Sequence, residues 1–222
     1  MKKSHSLDVS VIRWFTLLIL FALLSFQTTY AQSGSNFSPV TLPRGIELQL
    51  PKSWWLIGAD YKELIDTSVE AAMDLSGLAL PDGQETNLIA ANSMPRSTYA
   101  AVRIDSIIPV SVPPSMFSSF TAADVREFEA EMRKMLQALL PQQGLQLIEF
   151  LGSRIDRISG YPALVTEYRR TGPKGPVFVQ VNQVFTNTQD IRINLSYRES
   201  EVVFWKPVIG KIRQSIIISR WP

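Results

Sequence analysis

The sequence has no cysteine and only one histidine. Without thiols there is no disulfide, no thiolate nucleophile and no cysteine-bound metal. The one histidine, His5, lies in an N-terminal stretch that reads as a removable leader. A processed chain would therefore lack a Ser-His-Asp triad, a Cys-His pair and a histidine zinc site. The S-x-x-K, G-x-S-x-G and G-x-x-x-x-G-K-[ST] patterns are missing too. Catalysis, if any, is left to carboxylate, lysine, serine or tyrosine groups, and no cofactor or metal is expected. The segment "PDGQETN" offers oxygen ligands in Asp82 and Glu85, but it lacks the acidic alternation of a calcium loop and reads as a turn.

The leader itself is well marked. Lys2, Lys3 and Arg13 precede an apolar run from Trp14 to Phe26, and Thr29 and Ala31 occupy the small-residue positions before Gln32. A basic start, an apolar core of about 7–15 residues and a small-x-small site define a secretory signal peptide. A span across a bilayer takes about 20 apolar residues, and Gln27, Thr28 and Thr29 end this run earlier. Residues 1–31 are thus expected to be cleaved, giving a periplasmic or secreted protein with no stable membrane insertion. An inner-membrane anchor is the alternative. Cleavage would take three of 22 basic and one of 20 acidic residues, leaving 19 of each. A neutral chain is a poor nucleic-acid binder, so no nucleic-acid partner is expected. With no cysteine there is also no acylation site of the bacterial lipoprotein kind.

Beyond the leader, residues 32–44 are rich in Ser and Pro and read as a flexible lead-in to a single domain over 45–220. Ile46, Leu48 and Leu50 alternate with polar residues, as a half-buried strand requires. Asp60 and Glu63 resemble a capping box, which predicts a helix to about Leu75. Strands are expected around 87–92 and 99–108. Thr121 and Asp124 cap a second helix, whose apolar face runs through Val125, Phe128, Met132, Leu136 and Leu139 until Pro141 stops it. Glu127 and Glu131 on that helix belong to a solvated face. Strands follow over 145–158, 161–170, 177–185 and 191–197. A helix from Glu199 or Ser200 to Arg213 counts Val203, Phe204 and Ile212 among its apolar residues, and "SIIIS" supplies the last strand. Runs of strands joined by tight turns predict an α+β domain with a mainly antiparallel sheet covered by helices.

The stretch "GIELQLPKSWW" resembles the opening strand and Pro-x-x-Trp of PsbP-like and Mog-like proteins. The closing "INLSYRESEVVFWKPVIGKIRQSIII" is similar to their last hairpin strand, helix and returning strand. The resemblance implies an α/β/α sandwich with a central antiparallel sheet. Its members include thylakoid-lumen subunits of photosystem II, a Ran-binding nuclear protein and bacterial envelope proteins such as DcrB. They are generally interaction proteins without a shared catalytic constellation. What it implies here is an exported, non-enzymatic protein that binds an unidentified envelope protein or stabilises an assembly. A small-ligand carrier or an enzyme using carboxylates and arginines in a pocket between sheet and helix is the alternative.

Two places are candidates for the contact. Successive side chains of an extended chain point to opposite faces, so Trp54 and Trp55 cannot share one core. The resemblance aligns Trp54 with the Pro-x-x-Trp position, which implies that Trp54 is buried and Trp55 half exposed and available. The second place is "YRRTGPKGP", a turn between strands with Arg169, Arg170 and Lys174 near its tip. Exposed loops carry binding function disproportionately, and this one would suit an acidic partner or anionic headgroups.

Overall fold

The computed structural model describes residues 36–56 and 84–220. The leader, the helix expected over 60–75 and the "PDG" turn lie outside those residues. Ten strands are described. In chain order the elements are β1 (Phe37–Leu42), β2 (Ile46–Pro51), β3 (Trp55–Leu56), β4 (Gln84–Asn92), β5 (Ala100–Ile108), α1 (Ala122–Gln142), β6 (Leu147–Ile158), β7 (Tyr161–Arg170), β8 (Val177–Phe185), β9 (Asp190–Arg198), α2 (Val202–Gln214) and β10 (Ile217–Ile218). Seven strands form one antiparallel sheet in the order β3-β4-β5-β9-β8-β7-β6, and β1, β2 and β10 form a second, small sheet.

The period-2 pattern assigns the large sheet two faces. Val177 and Val179 of β8 and Tyr168 of β7 pack with Leu136 and Leu140 of α1. On the other face, Arg213 of α2 donates from Nε to Asn182 Oδ1 of β8 at 3.1 Å. Positions 177 and 179 alternate with 182 along one strand, so the two helices cover opposite faces. The expected α+β sandwich is what forms. Ile191, Ile193, Leu195, Val102, Ile104 and Ile212 are fully buried at its centre. Burying such side chains contributes about 1.5–3 kcal/mol each.

Helix α1 starts as its sequence dictates. The Thr121 side chain accepts from the backbone of Ala123 and Asp124, and the Asp124 carboxylate accepts from Thr121 N–H, closing a capping box. These bonds hold the Asp124 carboxyl below the usual range, the Thr121 backbone N–H being the largest cause. The end differs from expectation, because Pro141 lies inside the helix rather than beyond it. Pro141 forfeits only one backbone bond, a single turn from the terminus. The stop is set by Gly144, whose φ of 69° suits glycine. Leu145 N–H reaches Leu140 O at 2.9 Å and Gly144 N–H reaches Pro141 O at 3.0 Å, which is the Schellman pattern. Leu145 packs against the Leu140 cluster, supplying the apolar contact that accompanies it.

The lead-in expectation is corrected for its second half. Phe37–Leu42 is a strand, and the compact unit runs from Ser38 onward. Pro39 is tolerated there because β1 is an edge strand with one side unpaired. The following turn is tied to the main sheet: Arg44 donates to Ser106 Oγ at 2.6 Å and to Thr86 Oγ1 at 3.0 Å, and Gln189 Nε2 donates to Arg44 O at 2.9 Å. Gly45, at φ 74°, passes so close to Ser219 that a Cβ would sit 3.0 Å from its carbonyl oxygen. Ser and Pro composition signalled a loop, whereas the cross-chain bonds that order it are non-local.

One buried group at the start of β9 yields a prediction. Asp190 is fully buried; its Oδ2 accepts from Ser111 N–H at 3.0 Å and from Ser111 Oγ, while Oδ1 has no hydrogen-bond partner. Burial pushes its carboxyl above the ordinary value, against the opposing pull of Ser111 and Arg192. The folded state therefore holds this proton more tightly than the unfolded chain. Its contribution to stability is greatest below the unfolded pKa and falls as pH rises through the folded one. Asp190→Asn carries a pH-independent offset but cannot titrate. Urea midpoints across pH 3–7 should show the wild type losing stability relative to Asp190→Asn as pH rises. A difference that stays flat would mean Asp190 keeps its unfolded pKa.

Candidate docking rim and the terminal strand

The strand register carries the predicted residues to one end of the large sheet. Trp55 pairs with Asn92, Ala100 with Tyr197, Arg198 with Val177, and Val177 with Arg170. The stretch before β3, the β4–β5 hairpin, the β7–β8 turn and the junction of β9 with α2 thus share one rim.

At that rim Trp54 is buried, at 7% exposure, and Trp55 is 45% exposed. Trp54 meets Trp205 of α2 edge-on, with ring centroids 5.9 Å apart. The Arg96 guanidinium lies 5.2 Å over the Trp55 ring, a cation–π contact at an exposed site. Phe204 stands edge-on to Trp205 at 4.6 Å and is 65% exposed, and Val203 is 82% exposed. Val203 and Phe204 are therefore not core residues. The helix buries Trp205, Ile209 and Ile212, a stripe at spacings of four and three. That spacing was legible in the sequence and points Val203 and Phe204 elsewhere. Pro207 falls in the helix interior, where its missing N–H leaves the Val203 carbonyl without a helical donor.

The charges divide into committed and free. Arg169 is not a tip cation: its Nε and one terminal nitrogen bind both oxygens of Glu199 at 2.6 and 2.5 Å, and its other terminal nitrogen binds Glu149 at 2.9 Å. These two carboxylates, Glu199 first, push the Arg169 pKa up. Arg170 projects to the opposite face, donating to Thr171 O at 2.9 Å and weakly to the Tyr99 hydroxyl at 3.4 Å. Of the three cations proposed from sequence, only Lys174 is exposed at the tip, and it has no ion-pair partner among the described residues.

Glu201 joins the parts of the rim. Its Oε2 accepts from Tyr99 N–H at 2.9 Å and from Trp205 Nε1–H at 2.8 Å, and its Oε1 pairs with Arg198. Arg198 in turn donates to Ser97 O at 3.0 Å. One carboxylate thus pins the start of α2 to the β4–β5 hairpin. Nothing in the sequence singled it out, because the partner that ties it to the hairpin, Tyr99, lies 102 positions away in the chain.

At the far edge of the sheet, β6 is the longest of the described strands and yet a terminal one. Long unpaired edges invite aggregation unless they are blunted. Here the edge is interrupted by register shifts between Leu147 and Glu149 and between Phe150 and Gly152. Ser153 N–H is occupied by Glu129 of α1 at 2.6 Å. Each shift leaves one extra residue, Ile148 or Leu151, and each of these is 45% exposed, with Ile155 at 39% farther along.

A shallow open cleft of about 610 Å³ lies at the other end of β6, against Pro114, Phe117, Asp156, Arg157 and Tyr161. Its one carboxylate, Asp156, is already bound by Arg213 at 2.6 Å and by Arg157 N–H at 2.7 Å. The Arg157 backbone bond is the main cause that holds the Asp156 carboxyl below its usual value.

No protein-family model and no curated protein matches the sequence. Solved structures do match in fold. Cyanobacterial PsbP (CyanoP) from Synechocystis sp. PCC 6803 superposes with a TM-score of 0.50 at 13% identity, covering 88% of this chain and 99% of its own. LpqN, involved in cell envelope biogenesis of Mycobacterium tuberculosis, gives 0.43 at 11% identity over 84% and 87% of the two chains. PA94 from Pseudomonas aeruginosa, of unknown function, gives 0.41 at 12% over 85% and 100%. The chain has a PsbP-like fold.

Proposed function

We propose that the protein is an exported component of the cell envelope, processed before Gln32, that acts by binding another envelope protein rather than by catalysis. The contact is assigned to the outer side of β6. What supports this is the pair of bulges that turn Ile148 and Leu151 into solvent, with exposed Ile155 farther along the same strand. A bulge re-aims a side chain, and an edge strand defended against strand addition has no intrinsic need to display three large aliphatics. With Ser153 N–H occupied by Glu129, a partner would read side chains rather than extend the sheet. Photo-crosslinking in intact cells from position 151 should give a discrete protein adduct that position 126, exposed on α1, does not give. Ile148→Ser, with the crosslinker kept at position 151, should lower that adduct about tenfold, as loss of an interface anchor does, with urea stability nearly unchanged. Equal labelling from both positions would remove the β6 assignment.

A further inference from the structure

The rim opposite the cleft carries a different surface. Four large apolar side chains protrude from three separate segments: Trp55, Met94, Val203 and Phe204, exposed by 45, 39, 82 and 65%. Around them stand exposed Lys52, Arg96, Lys174 and Lys206, from all four chain segments that build the rim. None of these cations takes part in a salt bridge among the described residues. The rim's carboxylates are all matched: Glu199 and Glu149 by Arg169, and Glu201 by Arg198. Arg169 answers two carboxylates, so among these described residues the four lone cations stand against one net negative charge and the excess is positive, whereas exposed Glu127 and Glu131 lie on α1.

We propose that this rim docks peripherally onto an anionic membrane surface. Protein interfaces deplete lysine and gather aromatics in a recessed, packed core. This rim does the reverse, with aromatic and aliphatic tips projecting from β3, the β4–β5 turn and the start of α2 beside exposed lysines and an arginine. Tryptophan and phenylalanine enter the headgroup boundary readily, and Lys or Arg side chains reach the phosphates while their stems stay apolar. Each such cation adds attraction to an anionic leaflet that salt screens. The binding is reversible, since a few side chains at a sheet end bury far less than an inserted helix.

The test is co-sedimentation of the protein recovered from cells after export, using vesicles of phosphatidylcholine alone or with an equal part of phosphatidylglycerol. It should pellet with the anionic vesicles at low salt, stay in solution with the neutral ones, and be released as NaCl rises toward ~0.5 M. Lys174→Ser with Lys206→Ser should lower affinity about tenfold or more. Val203→Ser with Phe204→Ser, at solvent-exposed positions, should do likewise without changing the urea midpoint. Ile148→Ser with Leu151→Ser should leave vesicle binding intact, which separates this proposal from the β6 reading. No pelleting with anionic vesicles would overturn it. So would equal binding to both vesicle types, or salt-insensitive binding that the rim variants do not alter. A rim whose variants lose a protein adduct while vesicle binding is unchanged would be a protein site instead.

Discussion

Trp54→Ala should destabilise the domain by about 3–5 kcal/mol, while Trp55→Ala, one residue on, should be close to neutral. The side chains are chemically identical and adjacent, so the contrast isolates burial. Trp54 is 7% exposed and its ring meets Trp205 edge-on at 5.9 Å. Truncation removes the transfer free energy of an indole and the aromatic contact, and leaves a void beside a helix pinned by Glu201, which restricts collapse. Trp55 is 45% exposed and touches the Arg96 guanidinium over its ring face, a contact worth about 0.5–1 kcal/mol at an exposed site. Urea unfolding of both mutants decides the matter. A Trp54→Ala loss under about 1 kcal/mol would mean that the site collapses easily, and a Trp55→Ala loss of core size would mean that its exposed ring is covered in solution.

That the two rings part was readable from period-2 geometry, the most local of signals, whereas the choice of Trp54 as the buried one came from the resemblance at Pro-x-x-Trp. The strands from 145 to 198 and the capping box at Thr121 were readable too, where local pattern and tertiary packing agree. The misses share one cause. Residues 37–42 look like a loop until Arg44 and Gly45 find partners in β4, β5 and the C-terminal segment. Arg169 looks like a tip cation until the register sets Glu149 across from it and Glu199 within reach. Val203, Phe204 and Ile212 count alike as apolar residues of α2, yet the helix buries one stripe, Trp205, Ile209 and Ile212, and leaves the other two exposed. The rim was therefore legible as two separate candidates, "SWW" and "YRRTGPKGP". That they meet at one end of a sheet follows only from the pairing of β4, β5, β9, β8 and β7.

Glu201 offers the sharpest probe of that assembled rim. Its carboxylate serves three donors from three parts of the chain: Tyr99 N–H, Trp205 Nε1–H and the Arg198 guanidinium. The side chains of Arg198 and Glu201 are only 12% and 20% exposed, so water replaces the lost bonds poorly. Glu201→Ala leaves two neutral donors without an acceptor and the Arg198 charge without its counter-ion, and should cost about 3–5 kcal/mol. Glu201→Gln keeps a single carbonyl oxygen of nearly the same shape and should cost roughly half as much. The mechanism can be separated from mere loss of packing by a double-mutant cycle with Trp205→Phe. In the wild-type background that change removes a satisfied N–H, whereas beside Glu201→Ala it removes an orphan. Trp205→Phe should therefore be less damaging beside Glu201→Ala than alone, by about 1 kcal/mol or more. Strict additivity would show that the indole nitrogen and the carboxylate are not coupled. If Glu201→Ala stays within about 0.5 kcal/mol of wild type, the network is a surface ion pair of ordinary worth and does not hold the rim in shape.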